Sequence, residues 1–113
     1  MTAIDDLQAT VLSLVSRKSE GTYWDFKREH HKSKSDLIHD ILSLANAKHE
    51  GDRFLVYGVD DGFRLHSIRN DGGRRSQADL ASIFRGNASR FFSLGIQNFT
   101  YKKSRFREYN WMY

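Results

Sequence analysis

The sequence predicts an α/β (α+β) domain: a small mixed β-sheet of about five strands flanked by three helices. Three observations carry this. Apolar residues recur at helical spacing in three separate segments. Short aromatic and β-branched runs lie between and after them, and Gly, Asp, Asn and Ser punctuate the joins.

Ile4, Leu7, Val11, Leu14 and Val15 fall on one helical face, and Thr2 with Asp5 makes a capping-box start, which predicts a helix from Ala3 to Ser16. Ser19-Glu20-Gly21 is a short loop, and Thr22 to Arg28 reads as a strand. Ser33 with Asp36 offers a second capping box. Leu37, Ile38, Ile41, Leu42, Leu44 and Ala45 then define a largely buried helix ending near Asn46. Glu50-Gly51-Asp52 breaks the chain, and Phe54-Leu55-Val56-Tyr57 is a continuous apolar run expected of a central strand covered on both faces. Asp61-Gly62 signals a type I′ hairpin turn leading into Phe63 to Ile68, which alternates as an outer strand does. Ser76 and Asp79 cap a third helix whose apolar face is Leu80, Ile83, Phe84, Ala88 and Phe91. Ile96 to Tyr101 and Phe106 to Tyr113 read as two closing strands around Lys102-Lys103-Ser104-Arg105.

The 113 residues, 39% hydrophobic and 28% charged, suit one domain (1–113) and leave no room for two cores. No stretch approaches the about 18 apolar residues that span a bilayer, and MTAIDDLQAT is acidic where a signal peptide is basic. The expectation is a cytoplasmic protein with no membrane partner. Without cysteine there is no disulfide framework, thiolate nucleophile or Cys-based zinc site. Without proline, turns fall to Gly, Asn, Asp and Ser.

Charge is unevenly placed. Residues 1–69 hold 10 basic and 11 acidic side chains, a net of −1, whereas residues 70–113 hold 8 basic and 3 acidic, a net of +5. Phe91, Phe92, Phe99, Tyr101, Phe106, Tyr109, Trp111 and Tyr113 interleave with that surplus. Cations that neutralise phosphates beside rings that stack on bases suit a nucleic acid, DNA or RNA, although a half-buried strand with one wet face shows the same alternation. The candidate contacts are Arg74, Arg75, Arg85, Arg90, Lys102, Lys103, Arg105 and Arg107. Gly72-Gly73-Arg74-Arg75 before the Ser76 cap would offer amides and arginines to a phosphate, but reads first as a plain loop.

A second group has chemical potential. Glu20, Asp25, Lys27, Asp60 and Asp61 sit at the edges of two strands expected to be neighbours, and Asp25 and Lys27, two apart, share a strand face. Carboxylates so gathered hold Mg²⁺ or Mn²⁺ in hydrolytic sites, where the ion polarises a phosphate and acidifies a water that the lysine positions. Asp60-Asp61-Gly62 is equally what a hairpin turn prefers, and Asp25 with Lys27 is equally an ordinary solvated pair. His30-His31 reads as part of a basic loop, since adjacent strand histidines point to opposite faces, and His39 as part of a polar helix face. No Walker lysine loop or dinucleotide fingerprint is present.

Ser19-Glu20-Gly21-Thr22-Tyr23-Trp24-Asp25-Phe26-Lys27-Arg28, Leu37 to Asn46 and Phe54-Leu55-Val56-Tyr57-Gly58-Val59-Asp60-Asp61-Gly62 together resemble the Schlafen AlbA-type domain, over about residues 19 to 68. That family's pattern is a glutamate, an E-F-K strand, a helix ending in A-N and a strand closing in G-V-D-D-G. The resemblance implies a compact α/β unit described as DNA-binding. In the Schlafen proteins proper it implies a nuclease core that cuts structured RNA with two glutamates and an aspartate. By position these fall on Glu20, Asp25, and Asp60 or Asp61. Asp25 stands where the family has Glu, one methylene longer, and Ala47-Lys48-His49-Glu50-Gly51 replaces its paired glycines. The leading expectation is therefore a nucleic-acid-binding domain of this type. The alternative is a metal-dependent nuclease with Glu20, Asp25, Asp60 and Asp61 as ligands and Lys27 assisting the water. A further alternative is a protein-interaction module, a homo-oligomer or an adaptor on the same fold.

Overall fold

Trp24–Lys27 (β1) and Phe54–Tyr57 (β2) lie side by side as parallel strands, Trp24 opposite Phe54 and Lys27 opposite Tyr57. This computed structural model describes residues 3–49, 51–87, 101–103 and 110–112. Its helices are α1 (Ala3–Ser16), α2 (Lys34–Ala45) and α3 (Gln77–Gly86), and its last strands are β3 (Tyr101–Lys103) and β4 (Asn110–Met112). β4 pairs antiparallel with β2 and then with β3, giving the order β1-β2-β4-β3.

Alternation along β2 divides the core. Phe54 and Val56 join Trp24 and Phe26 against Val11, Leu14 and Val15 of α1. Leu55 and Tyr57 point the other way, into a second cluster with Leu37 of α2, Leu80 of α3 and Ile68. All four β2 residues are buried, as a strand covered on both faces must be. Where predicted, the caps form: Ser33 Oγ accepts from the Asp36 amide, and Ser76 with Asp79 makes a full capping box. α3 ends at Gly86 with Asn87 as its cap, short of the predicted Phe91; Ala88 and Phe91, like Thr2, lie outside the described residues.

The expected α/β sheet of about five strands does not form. Among the described residues the chain is a small α+β structure with three helices, and β1 with β2 is the parallel pair. Phe63 to Ile68 is not a strand: apart from one bridge between Val59 and Leu65, it runs as loop. The reason is occupancy, because β1 and β4 take both sides of β2 and leave no free edge for it. The turn is not type I′ either, since Asp61 and Gly62 do not have the positive φ that type requires. Instead Phe63 N–H donates to Asp60 O (2.9 Å), Asp60 N–H to Arg64 O (3.0 Å), and Phe63 itself adopts φ 61°, a three-residue loop closed by a left-handed residue. Lys102 and Lys103, expected in a turn, are in β3; residues 96–100, 106–109 and 113 of the two predicted closing strands lie outside the described residues.

Candidate functional site

At the C-terminal end of β2 a bulge sets the geometry. Gly58 and Val59 N–H both donate to Lys27 O, at 2.7 and 3.2 Å, and Gly58 has φ 95°. The extra residue shifts the alternation by one. Val59 returns to the α1 cluster with Leu65, and Asp60, Arg64 and His66 fall on the opposite side.

Two separate polar groups result, not one. In the first, Lys27 Nζ lies 3.5 Å from both Asp25 Oδ2 and Asp40 Oδ2, so the predicted shared face of Asp25 and Lys27 is present and α2 supplies a second carboxylate. Burial opposes charge on Lys27, but the Asp25 and Asp40 carboxylates outweigh it and raise its pKa. Asp40 Oδ2 meets His31 Nε2 at 2.5 Å, and His31 Nδ1 meets the Tyr57 hydroxyl at 2.9 Å. Glu20 joins this group through a side-chain hydrogen bond to Asp25. Desolvation, then that bond and the Asp25 charge, push its pKa up.

The second group centres on Asp60. Its Oδ1 accepts from the Gly62 amide (2.8 Å) and the Arg64 amide (3.0 Å), and its Oδ2 from Arg64 Nε (3.1 Å), with His66 Nε2 at 2.7 Å. The His66 contact, then the Arg64 and Gly62 amides, hold its carboxyl well below the usual carboxylate range. Asp61 is exposed at the loop tip. Among the described residues no three His, Cys, Asp or Glu side chains converge as metal ligands. Of the expected Mg²⁺ or Mn²⁺ ligands, Glu20 and Asp25 are neighbours beside Lys27, whereas Asp60 is bound within its own turn and Asp61 lies at its tip.

His30 and His31 lie in the loop between β1 and α2, as expected, but His30 is buried there. It is 2% exposed, stacks on Tyr57, donates its amide to Asp71 Oδ2 (2.7 Å) and accepts the Arg75 amide on Nδ1 (3.3 Å). Arg75 Nη1 donates to His31 O at 2.5 Å, which fixes that arginine into the fold. The N-terminus of α3 is already served, because Asp79 Oδ2 accepts the Ser76 amide (3.1 Å) and Ser76 Oγ the Asp79 amide (3.1 Å). Arg74 is half-buried in the same loop and Arg85 is exposed on α3. Arg90, Arg105 and Arg107 lie outside the described residues. Backbone adjacency places α3 beside β3, so Arg85 and the Lys102-Lys103 pair sit on neighbouring elements at the outer edge of the sheet.

Sequence reasoning missed Asp40, His66 and Tyr57. Asp40 lies on the α2 face next to Ile41, which packs on the core, and a charge bordering an apolar helix face was the available signal. No family model matches the chain, and no curated protein or solved structure matches it either. Among the described residues no helix is long and apolar enough to cross a membrane.

Proposed function

We propose that this chain binds nucleic acid, as its resemblance to the Schlafen AlbA-type domain implies. One observation carries the reading: the net +5 segment contributes both α3, with exposed Arg85, and the neighbouring outer strand β3, with Lys102 and Lys103. Cations gathered on adjacent elements at a sheet edge suit the regular spacing of phosphates on a strand, whose neutralisation releases counterions and supplies most of the affinity. Arg75 holds the loop before α3 in place, with Nη1 donating to His31 O and its amide to His30 Nδ1.

Gel shift of labelled single-stranded DNA, duplex DNA and structured RNA at about 50 mM salt tests the reading, since phosphate contacts are strong there. The expected result is a shifted complex that weakens steeply as salt rises. A chain that shifts none of the three refutes it.

A further inference from the structure

The hairpin after β2 holds an imidazole, a group that orients it and a cation within one short turn. Asp60 receives the Gly62 amide, the Arg64 amide and Arg64 Nε, and a carboxylate held by so many donors stays ionised. An ionised carboxylate only accepts, so the neutral His66 ring carries its hydrogen on Nε2, 2.7 Å from Asp60 Oδ2, and keeps a lone pair on Nδ1. His66 Nδ1 has no hydrogen-bond partner among the described residues, and the side chain is 32% exposed. Arg64 commits Nε to Asp60, and its side chain is 81% exposed. The backbone fixes both partners: His66 N–H donates to Gly58 O at 2.7 Å and Asp60 N–H to Arg64 O at 3.0 Å. The turn thus brings base, orienting group and cation together.

We infer that Asp60, His66 and Arg64 form a metal-independent site for RNA, in which Arg64 receives a phosphodiester and His66 Nδ1 takes the proton of the neighbouring 2′-hydroxyl. The inference rests on the proposed function for its substrate class. The 2′-oxygen attacks phosphorus, a P–O2′ bond forms, and the P–O5′ bond breaks with its electron pair passing to O5′. O5′ takes a proton from water, and the imidazolium returns its proton to the hydroxide so formed. The products are a 2′,3′-cyclic phosphate and a 5′-hydroxyl, with no metal, oxidant or reductant consumed. His66 is the catalytic residue and Asp60 a positioning residue.

The test uses the full chain in EDTA with a single-stranded DNA containing one ribonucleotide, and with the same strand carrying a 2′-O-methyl group there. The expected result is cleavage of the first strand only, at the ribonucleotide, leaving a cyclic phosphate. His66→Ala lowers the rate about 100-fold or more, and added imidazole restores part of it. Asp60→Asn keeps an oxygen for the two amides but not the anion that holds His66 and Arg64, and it lowers turnover at saturating strand. Cleavage undiminished in His66→Ala overturns the inference. An uncut ribonucleotide strand, with the 2′-O-methyl strand still bound, also overturns it and leaves the binding reading standing. Binding of neither strand, with neither cut, overturns both.

Discussion

His30 lies flat on Tyr57, ring centroids 4.0 Å apart and planes 16° apart, with the two residues 2% and 0% exposed. Protonating such an imidazole means charging a group sealed from water and losing the Arg75 amide that Nδ1 accepts. Burial therefore pushes the His30 pKa down from 6.5 to about 4, against the pull of Asp71.

Acid destabilises the fold through this residue. The unfolded chain takes up the proton near pH 6.5 and the folded chain only near pH 4. The contribution is thus complete above pH 6.5, declines as pH falls towards 4, and is gone below it. The full loss is about 3 kcal/mol. Urea unfolding at pH 7 and pH 4.5 measures it. His30→Gln, which cannot charge, flattens that part of the profile, and a profile parallel to wild type contradicts the assignment.

Gly58→Ala destabilises by about 1–2 kcal/mol, because φ 95° at the bulge is strained for any residue with a Cβ. The bulge also turns Asp60 away from the core, so this variant disturbs the Asp60–His66 contact as well as the melting temperature. Thermal melting together with histidine NMR chemical shifts reads both.

Arg53 organises the loop after α2 by donating to four carbonyls: Nε to Leu44 O (2.8 Å), Nη2 to Ala47 O (3.2 Å) and His49 O (2.9 Å), and Nη1 to Gly51 O (3.3 Å). A lysine has three donors on one nitrogen and cannot span this arc. Arg53→Lys costs about 1–3 kcal/mol in chemical denaturation, and a variant as stable as wild type refutes the role.

Gly21→Ala forces the Trp24 indole to move, since a methyl group there overlaps its ring. That ring donates to Ser19 O (2.9 Å) and lies under Arg17 (5.3 Å), so both contacts are lost with it. The expected signature is a shifted tryptophan emission with destabilisation of about 1–3 kcal/mol.

The helices and the two parallel strands were legible because their signals are local: apolar spacing, Ser caps and one continuous apolar run. The hairpin was not, because a two-residue and a three-residue loop fit the same Asp60-Asp61-Gly62-Phe63 and differ by one step of register. In the two-residue register His66 falls on the face opposite Asp60, so their pairing became visible only with the left-handed Phe63. Likewise the side of β2 that Phe63 to Ile68 would have used is taken by β4, more than fifty positions along the chain, which no window of local pattern reveals. Asp25 and Lys27 were found by period-two logic, whereas Asp40 and Tyr57 reach the group only through tertiary packing.

The central claim is nucleic-acid binding through the basic outer edge, and the most direct measurement is affinity against salt for wild type and for Lys102→Ala/Lys103→Ala. The account predicts that wild type shifts a labelled strand at about 50 mM salt. The double variant then binds more weakly, with a log K against log salt slope shallower by about 1 to 2. Equal affinity and equal slope in the two proteins, or no complex with wild type at low salt, contradicts it.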